Sequence, residues 1–332
     1  MKETEFTDSA VHEVTLQPAG TRFHSVPGRS LLDAGLSRGI ALPYGCANGS
    51  CGACRARLLH GHVAKFKAHD FTLTEAEKLN GEFLLCSSVA DTDCTVEVLE
   101  ATAAADVPLQ QLQAKLCRHD IVDDVHIIEI KFIRGRALRF LPGQRVHLQF
   151  TDEFALVLPI ASCPCNARSL EFHLSPDILT APQMQYCIEH LQSSASRTRI
   201  QVTGPSGEFT LTNNRTAPIV FIASGGGFAR IRGMIEQFIN FELDVPFCLV
   251  CQPSESTALY QHNLCRSWND AIDEFDYFPL STDQHPLGTL SDLWLKRLPS
   301  CQIYMDKKNA GLIEELSNLN ADPANIFFPD KT

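Results

Sequence analysis

The run Tyr44-Gly-Cys46-Ala-Asn-Gly-Ser-Cys51-Gly-Ala-Cys54, answered by a single cysteine in Phe83-Leu-Leu-Cys86, constrains this chain more than any other stretch. Its gaps of four, two and 31 residues suit four thiolates converging on a [2Fe–2S] cluster, three from one tightly wrapped loop and the fourth from a distant strand end. The expected metal ligands are therefore Cys46, Cys51, Cys54 and Cys86. Gly45, Gly49 and Gly52 let the loop wrap, because a residue without Cβ takes positive φ and brings backbone N–H groups close to the sulfurs. A structural zinc site would show two close cysteine pairs, whereas only Cys51 and Cys54 form a CxxC here. A thioredoxin-like motif would have no use for Cys46 and Cys86.

The remainder reads as further domains, since 332 residues exceed one ordinary core. Around the cluster loop, Val11 to Leu16 and Thr21 to Val26 form a hairpin pattern. Ser30 is a candidate N-cap for a helix running to about Arg38, and Thr74-Glu-Ala-Glu77 has capping-box spacing. Residues 101–113 read as a small, polar linker. From residue 114 to 208 short alternating runs, such as Val125 to Phe132 and Arg145 to Phe150, predict an antiparallel barrel. From 209 to 332 the texture changes: a continuous apolar run, Ala217 to Ala223, meets the turn Ser224-Gly-Gly-Gly227 and then helical spacing from Ile231 to Asn240. Strand, glycine turn and helix open a parallel nucleotide-binding sheet.

A formal charge of −11 excludes nucleic acid as the expected partner, because phosphate binding needs clustered Lys and Arg. An acidic surface suits docking to a basic patch on a redox partner protein. No apolar run is long enough for a membrane span and the start lacks a signal-peptide core, so the expectation is a cytoplasmic monomer that does not engage a membrane. The nine cysteines beyond the cluster set read as reduced core residues. Cys163-Pro-Cys165 is weighed as a redox pair and set aside as strained, and His60, His62 and His69 read as solvated loop residues.

Residues 11–100, with "LLDAGLSRGIALPYGC" leading into the cluster loop, resemble the plant-type ferredoxin domain, which implies an α+β β-grasp fold. The order of ferredoxin domain, β-barrel and α/β domain resembles the ferredoxin–NADP reductase superfamily in its iron–sulfur-fused form, of the CDP-6-deoxyglucoseen reductase type. "FLPGQRVHLQF" from Phe140, "IASCP" from Ile160, "GPSGEF" from Gly204 and "FIASGGGFARIRGMIE" from Phe221 stand in register with that superfamily. The resemblance implies FAD and NAD(P)H as cofactors. Ile160 and Ser162 would mark the flavin strand, and Gly225, Gly226 and Gly227 the pyridine-nucleotide loop.

Several family motifs are replaced. The flavin strand's Arg, aromatic and Ser correspond to Leu156, Leu158 and Pro159. The next diphosphate-binding element reads Ser175-Pro-Asp-Ile-Leu-Thr-Ala-Pro182, without glycine and with an acid. The nicotinamide-site Cys-Gly stretch reads Met305-Asp306. On this reading FAD binds weakly or not at all, because the strand offers no cation to a diphosphate leaving water. Arg145, Arg168, Arg197 or Arg199 are the residues able to reach in instead. Two functions follow: an NAD(P)H-dependent iron–sulfur oxidoreductase passing electrons to a partner protein, or a pseudo-reductase that carries electrons, or serves as a scaffold, on a silent reductase fold.

Overall fold

The protein is described from a computed structural model. It covers all residues except 1–10, 19, 37, 39, 41, 45–48, 50, 51, 53, 68–71, 99–103, 134–137, 165–168, 194–198, 213–215, 241–243, 331 and 332. The chain divides into two units that part near residue 102.

In the first unit, strands β1 (Glu13–Gln17) and β2 (Arg22–His24) form the expected hairpin and lead into helix α1 (Leu31–Leu36). Ser30 caps α1: its Oγ accepts from the Asp33 N–H at 3.1 Å, which satisfies one of the orphan donors of the first turn. The apolar face of α1, with Leu31, Leu32 and Ala34 buried, packs on the sheet. Strands β3 (Arg55–His60) and β4 (Val63–Lys65), helix α2 (Glu75–Leu79) and strands β5 (Glu82–Leu84), β6 (Ser88–Ala90) and β7 (Cys94–Glu97) complete the unit. The sheet order is β2-β1-β7-β3-β5, with β1 and β7 parallel. At the start of α2 the capping box closes as the sequence predicts, with Thr74 and Glu77 bonding each other's backbone.

The second unit holds two sheets. The first comprises β8 (Gln110–Val122), β9 (Val125–Phe132), β10 (Arg145–Gln149), β11 (Ala155–Pro159), β12 (Ser169–Leu174), helix α3 (Ala181–Ser193) and β13 (Arg199–Ser206). Its order, β11-β10-β13-β8-β9-β12, is antiparallel throughout. The two edges approach where the Ala161 N–H, just past β11, donates to the Glu171 carbonyl of β12 at 2.9 Å. Strand β8 starts inside the segment read as linker: Gln110 to Gln113 pair with β13, and Leu112 is buried opposite Val202. Alternating glutamines hid that strand, since its apolar face carries little besides Leu112.

The second sheet is parallel, in the order β16-β15-β14-β17-β18. It contains β14 (Ile219–Ser224), helix α4 (Phe228–Asn240), β15 (Phe247–Gln252), α5 (His262–Ala271), β16 (Phe275–Pro279), α6 (Asp292–Arg297), β17 (Gln302–Met305), α7 (Ala310–Asn318) and β18 (Ile326–Phe327). All but one residue of β14 are buried, as a central strand covered on both faces requires. Phe221 and Phe228 pack on one side, Val220 and Trp294 on the other. Among the described residues no helix is long and apolar enough to cross a membrane.

Candidate functional site

Two of the four cysteines of the opening pattern are described, and they meet. Cys54, at the start of β3, and Cys86, in the 3-10 turn after β5, bring their sulfurs to 3.2 Å inside the first core. A hydrogen bond from Cys54 lowers the pKa of the Cys86 thiol, against the opposing effect of burial. The Ser87 hydroxyl and the backbone of Gly49 lower it further. A thiolate held by donors in a dry pocket is the chemistry that a metal ligand requires. Gly49 and Gly52 take φ of +83° and +74°, the conformation expected of the loop. Cys46 and Cys51 lie outside the described residues, as does Gly45.

The other described cysteines are not poised for metal or redox work. Burial raises Cys94 and Cys187 to about 11 and Cys265 and Cys301 to about 12, so these thiols stay protonated. Cys117 departs from the core expectation and is exposed, donating to the Glu129 carbonyl. Cys163 is buried and receives a hydrogen bond from Asn240, while Cys165 is outside the described residues. His60 and His62 are exposed, as expected, and His69 is not described.

In the second unit a cavity of about 480 Å3 opens beside β11. That volume falls within the usual range for small-molecule sites. Leu156 and Pro159 line it, but so do Arg145 and Arg230. Arg145 is the direct cross-strand partner of Pro159, so register brings a guanidinium to the place where β11 itself lacks one. Burial lowers the pKa of Arg230, and Arg145 adds to that by repulsion, while Asp306 opposes it. Glu208 and Asp330 also line the cavity, yet among the described residues neither forms an ion pair with either arginine. Two neighbouring cations that form no ion pair with the lining acids make an anion seat. The strand does lack its own cation, but the site does not, which corrects the expectation of an uncompensated diphosphate.

The segment 175–182 also differs from its reading. Helix α3, which the sequence reading did not predict, starts beside the cavity: Thr180 and Gln183 line it, and the Thr180 N–H and Oγ donate to the Gln183 side chain at 3.0 Å. Thr180-x-x-Gln183 is capping-box spacing and was the available signal. Asp177, counted above against an anion, is turned out of the cavity. Ile160 is buried in the sheet with its N–H on the Gln144 carbonyl, and Ser162 Oγ accepts from the Glu171 N–H. Neither of the two lines the cavity.

The glycine turn holds the opposite surprise. Gly225, Gly226 and Gly227 link β14 to α4, where a helix start would offer N–H groups to a phosphate. Asp177 fills that place: its carboxylate accepts from the Gly226 N–H at 2.7 Å and from Ser254 Oγ at 2.8 and 2.9 Å. Asp306 fills the next, its carboxylate accepting from Ser224 Oγ at 3.1 Å and lying against Gly227. Burial raises the Asp306 pKa, partly offset by Lys307 and the Ser224 hydrogen bonds. A Cβ on Gly226 would overlap Ser175 Oγ and one on Gly227 would overlap Asp306, so these glycines are required by close packing.

Comparisons with known proteins agree with this architecture. Residues 14–91 match the 2Fe-2S iron-sulfur cluster binding domain family. The chain is 23% identical to the terephthalate 1,2-dioxygenase reductase component 1 of Comamonas sp, over 82% of its own length and 79% of that protein's. It is 28% identical to the CDP-6-deoxy-L-threo-D-glycero-4-hexulose-3-dehydrase reductase of Yersinia pseudotuberculosis, over 68% and 67%. Among solved structures it resembles the Amycolatopsis cytochrome P450 reductase GcoB with a TM-score of 0.53 at 22% identity, covering 96% and 98% of the two chains. Phthalate dioxygenase reductase gives 0.51 at 16%, covering 66% and 67%. The chain thus carries a domain that matches the 2Fe-2S iron-sulfur cluster binding domain family, and its overall fold resembles those of these reductases. The second unit contributes to that likeness an antiparallel sheet followed by a parallel sheet.

Proposed function

We propose that this chain is the reductase component of a multi-protein redox system, taking electrons from NAD(P)H and passing them singly through a [2Fe–2S] cluster to a partner protein. The observation that carries this is the meeting of the Cys54 and Cys86 sulfurs within the matched domain. Cys46, Cys51, Cys54 and Cys86 are the proposed ligands. The likeness to reductase components of oxygenases supports the partner. We further propose a cytoplasmic monomer, divided as a ferredoxin domain over 11–100, an FAD-type domain ending near 208 and a nucleotide-type domain to 332.

FAD fits the cavity. Arg145 and Arg230 would hold its diphosphate near the start of α3, and the apolar wall of Leu156, Pro159 and Phe209 would exclude water from the ring. When bound, the flavin supplies the conversion of a two-electron donor into single electrons for the cluster. A second reading, an electron carrier whose parallel-sheet domain binds no nucleotide, is favoured by the filled glycine turn.

Purified full-length chain should carry iron and sulfide in equal amounts, with a reduction potential on the order of −400 mV as in plant-type ferredoxins. NADH or NADPH should bleach its visible spectrum anaerobically. Cys54→Ser and Cys86→Ser should each abolish or strongly weaken the cluster, and Cys94→Ser should leave it intact. Full iron and sulfide content in the first two variants would refute the ligand set.

A further inference from the structure

We propose that Asp177 is an internal competitor for the donor's phosphate, a carboxylate that closes the glycine turn and must withdraw before an anionic nucleotide can take the start of α4. The inference rests on the reading of NAD(P)H as donor and deepens it. A phosphate approaching this helix start would seek backbone N–H groups, and the Gly226 N–H is already given to Asp177. Asp177 is held there by Ser254, whose Oγ in turn accepts from the Thr257 N–H at 2.9 Å, so the carboxylate is clamped between two chain segments.

A second observation shows that the internal fit is incomplete. Ser175 Oγ is fully buried, lies against Gly226 and has no hydrogen-bond partner among the described residues. Leaving a buried hydroxyl unpaired is unfavourable, and Asp177 does not relieve it. An external phosphate has more acceptor oxygens than a carboxylate. With Asp177 withdrawn, it would accept from both Gly226 N–H and Ser175 Oγ. Asp306 beside Gly227 adds a second acidic group to the same turn, so the closed form repels an anion as well as blocking it. Asp177 therefore sets the affinity of the site for the donor, and Ser175 is the donor group that waits for it.

The test is calorimetric titration of the full chain, cluster in place, with NADH, NADPH and ADP-ribose, a readout independent of turnover. Asp177→Asn should bind at least about tenfold more tightly than the natural chain, since a charge-assisted bond and a repulsion are both removed. Ser175→Ala should bind several-fold more weakly while unfolding at the same or a higher urea concentration, since the unpaired buried hydroxyl is removed. Ser254→Ala, which loosens Asp177 without altering the turn, should tighten binding by less than Asp177→Asn. Equal affinity of the natural chain and Asp177→Asn for these nucleotides overturns the competitor alone. Absence of binding by every variant, with the cluster intact, overturns it together with NAD(P)H as donor and leaves the carrier reading.

Discussion

The glycine turn and strand β11 invert each other. At residues 225–227 the letters of a phosphate-binding loop are intact, yet the space they create is taken by Asp177 and the next by Asp306. At residues 155–159 the letters of a flavin strand are gone, yet the space beside them is lined by Arg145 and Arg230. A motif is a shorthand for donors at a point in space, and the two can separate. Glycines guarantee room without saying what occupies it. A missing Arg removes one route for a cation, while antiparallel pairing supplies another from the neighbouring strand.

The largest expected effect breaks the comparison at β11. Replacing both Arg145 and Arg230 with Ala should weaken FAD binding about 100-fold or more, and with it the occupancy of purified protein, because two charge-assisted bonds at roughly 1.5 to 3 kcal/mol each are lost. Flavin released by heat and measured by chromatography reads this directly. Occupancy unchanged in the double variant would mean that the cavity is not the flavin seat.

Next comes the turn itself. Gly226→Ala should destabilise the second unit by about 1 to 3 kcal/mol, because the new methyl must displace the buried Ser175 side chain. Urea unfolding measures it, and a loss below about 0.5 kcal/mol would show the turn to be looser than described.

The smallest effect concerns a buried histidine of the second unit. His173, at the end of β12, is fully buried and bonded to Tyr260 OH at 2.7 Å and to Glu171 at 2.9 Å. His173 Nε2 faces both Glu171 and, at 3.1 Å, the donor-only guanidinium of Arg232, and burial raises the pKa of Tyr260. Burial lowers His173 from 6.5 to about 3, helped by Arg118 and opposed by Glu236, while Arg118 and Arg232 already neutralise Glu171. The folded form thus holds fewer protons than the unfolded one. Stability is full above pH 6.5 and falls as pH drops toward 3, by at most about 1.4 kcal/mol per pH unit from this group. His173→Gln should flatten that slope in urea midpoints measured between pH 6.5 and 5. An unchanged slope would place the loss elsewhere.

Much of the fold was legible. Strand β9 runs from Val125 to Phe132 as its alternation predicts, and the capping box at Thr74 and the positive φ of Gly49 and Gly52 follow from local chemistry. Helix α3 was missed although Thr180-x-x-Gln183 announced it, because the segment 175–182 was read for the glycines of a diphosphate-binding element and not for a helix start. Strand β8 began earlier than its apolar content suggested, since pairing with β13 rather than burial holds Gln110 to Gln113.

The sequence by itself determined the cluster ligands proposed here and the order of the domains, because cysteine spacing and hydrophobic periodicity act over a few residues and need no partner from afar. Tertiary structure alone decided which way Asp177 turns and where the cation beside Pro159 comes from. Asp177 finds Gly226 and Ser254 only when β12 is docked against the parallel-sheet domain, and Arg145 finds Pro159 only through sheet register. Charge and hydrogen bonding are settled over a few ångströms in space, between groups that the chain keeps far apart in sequence.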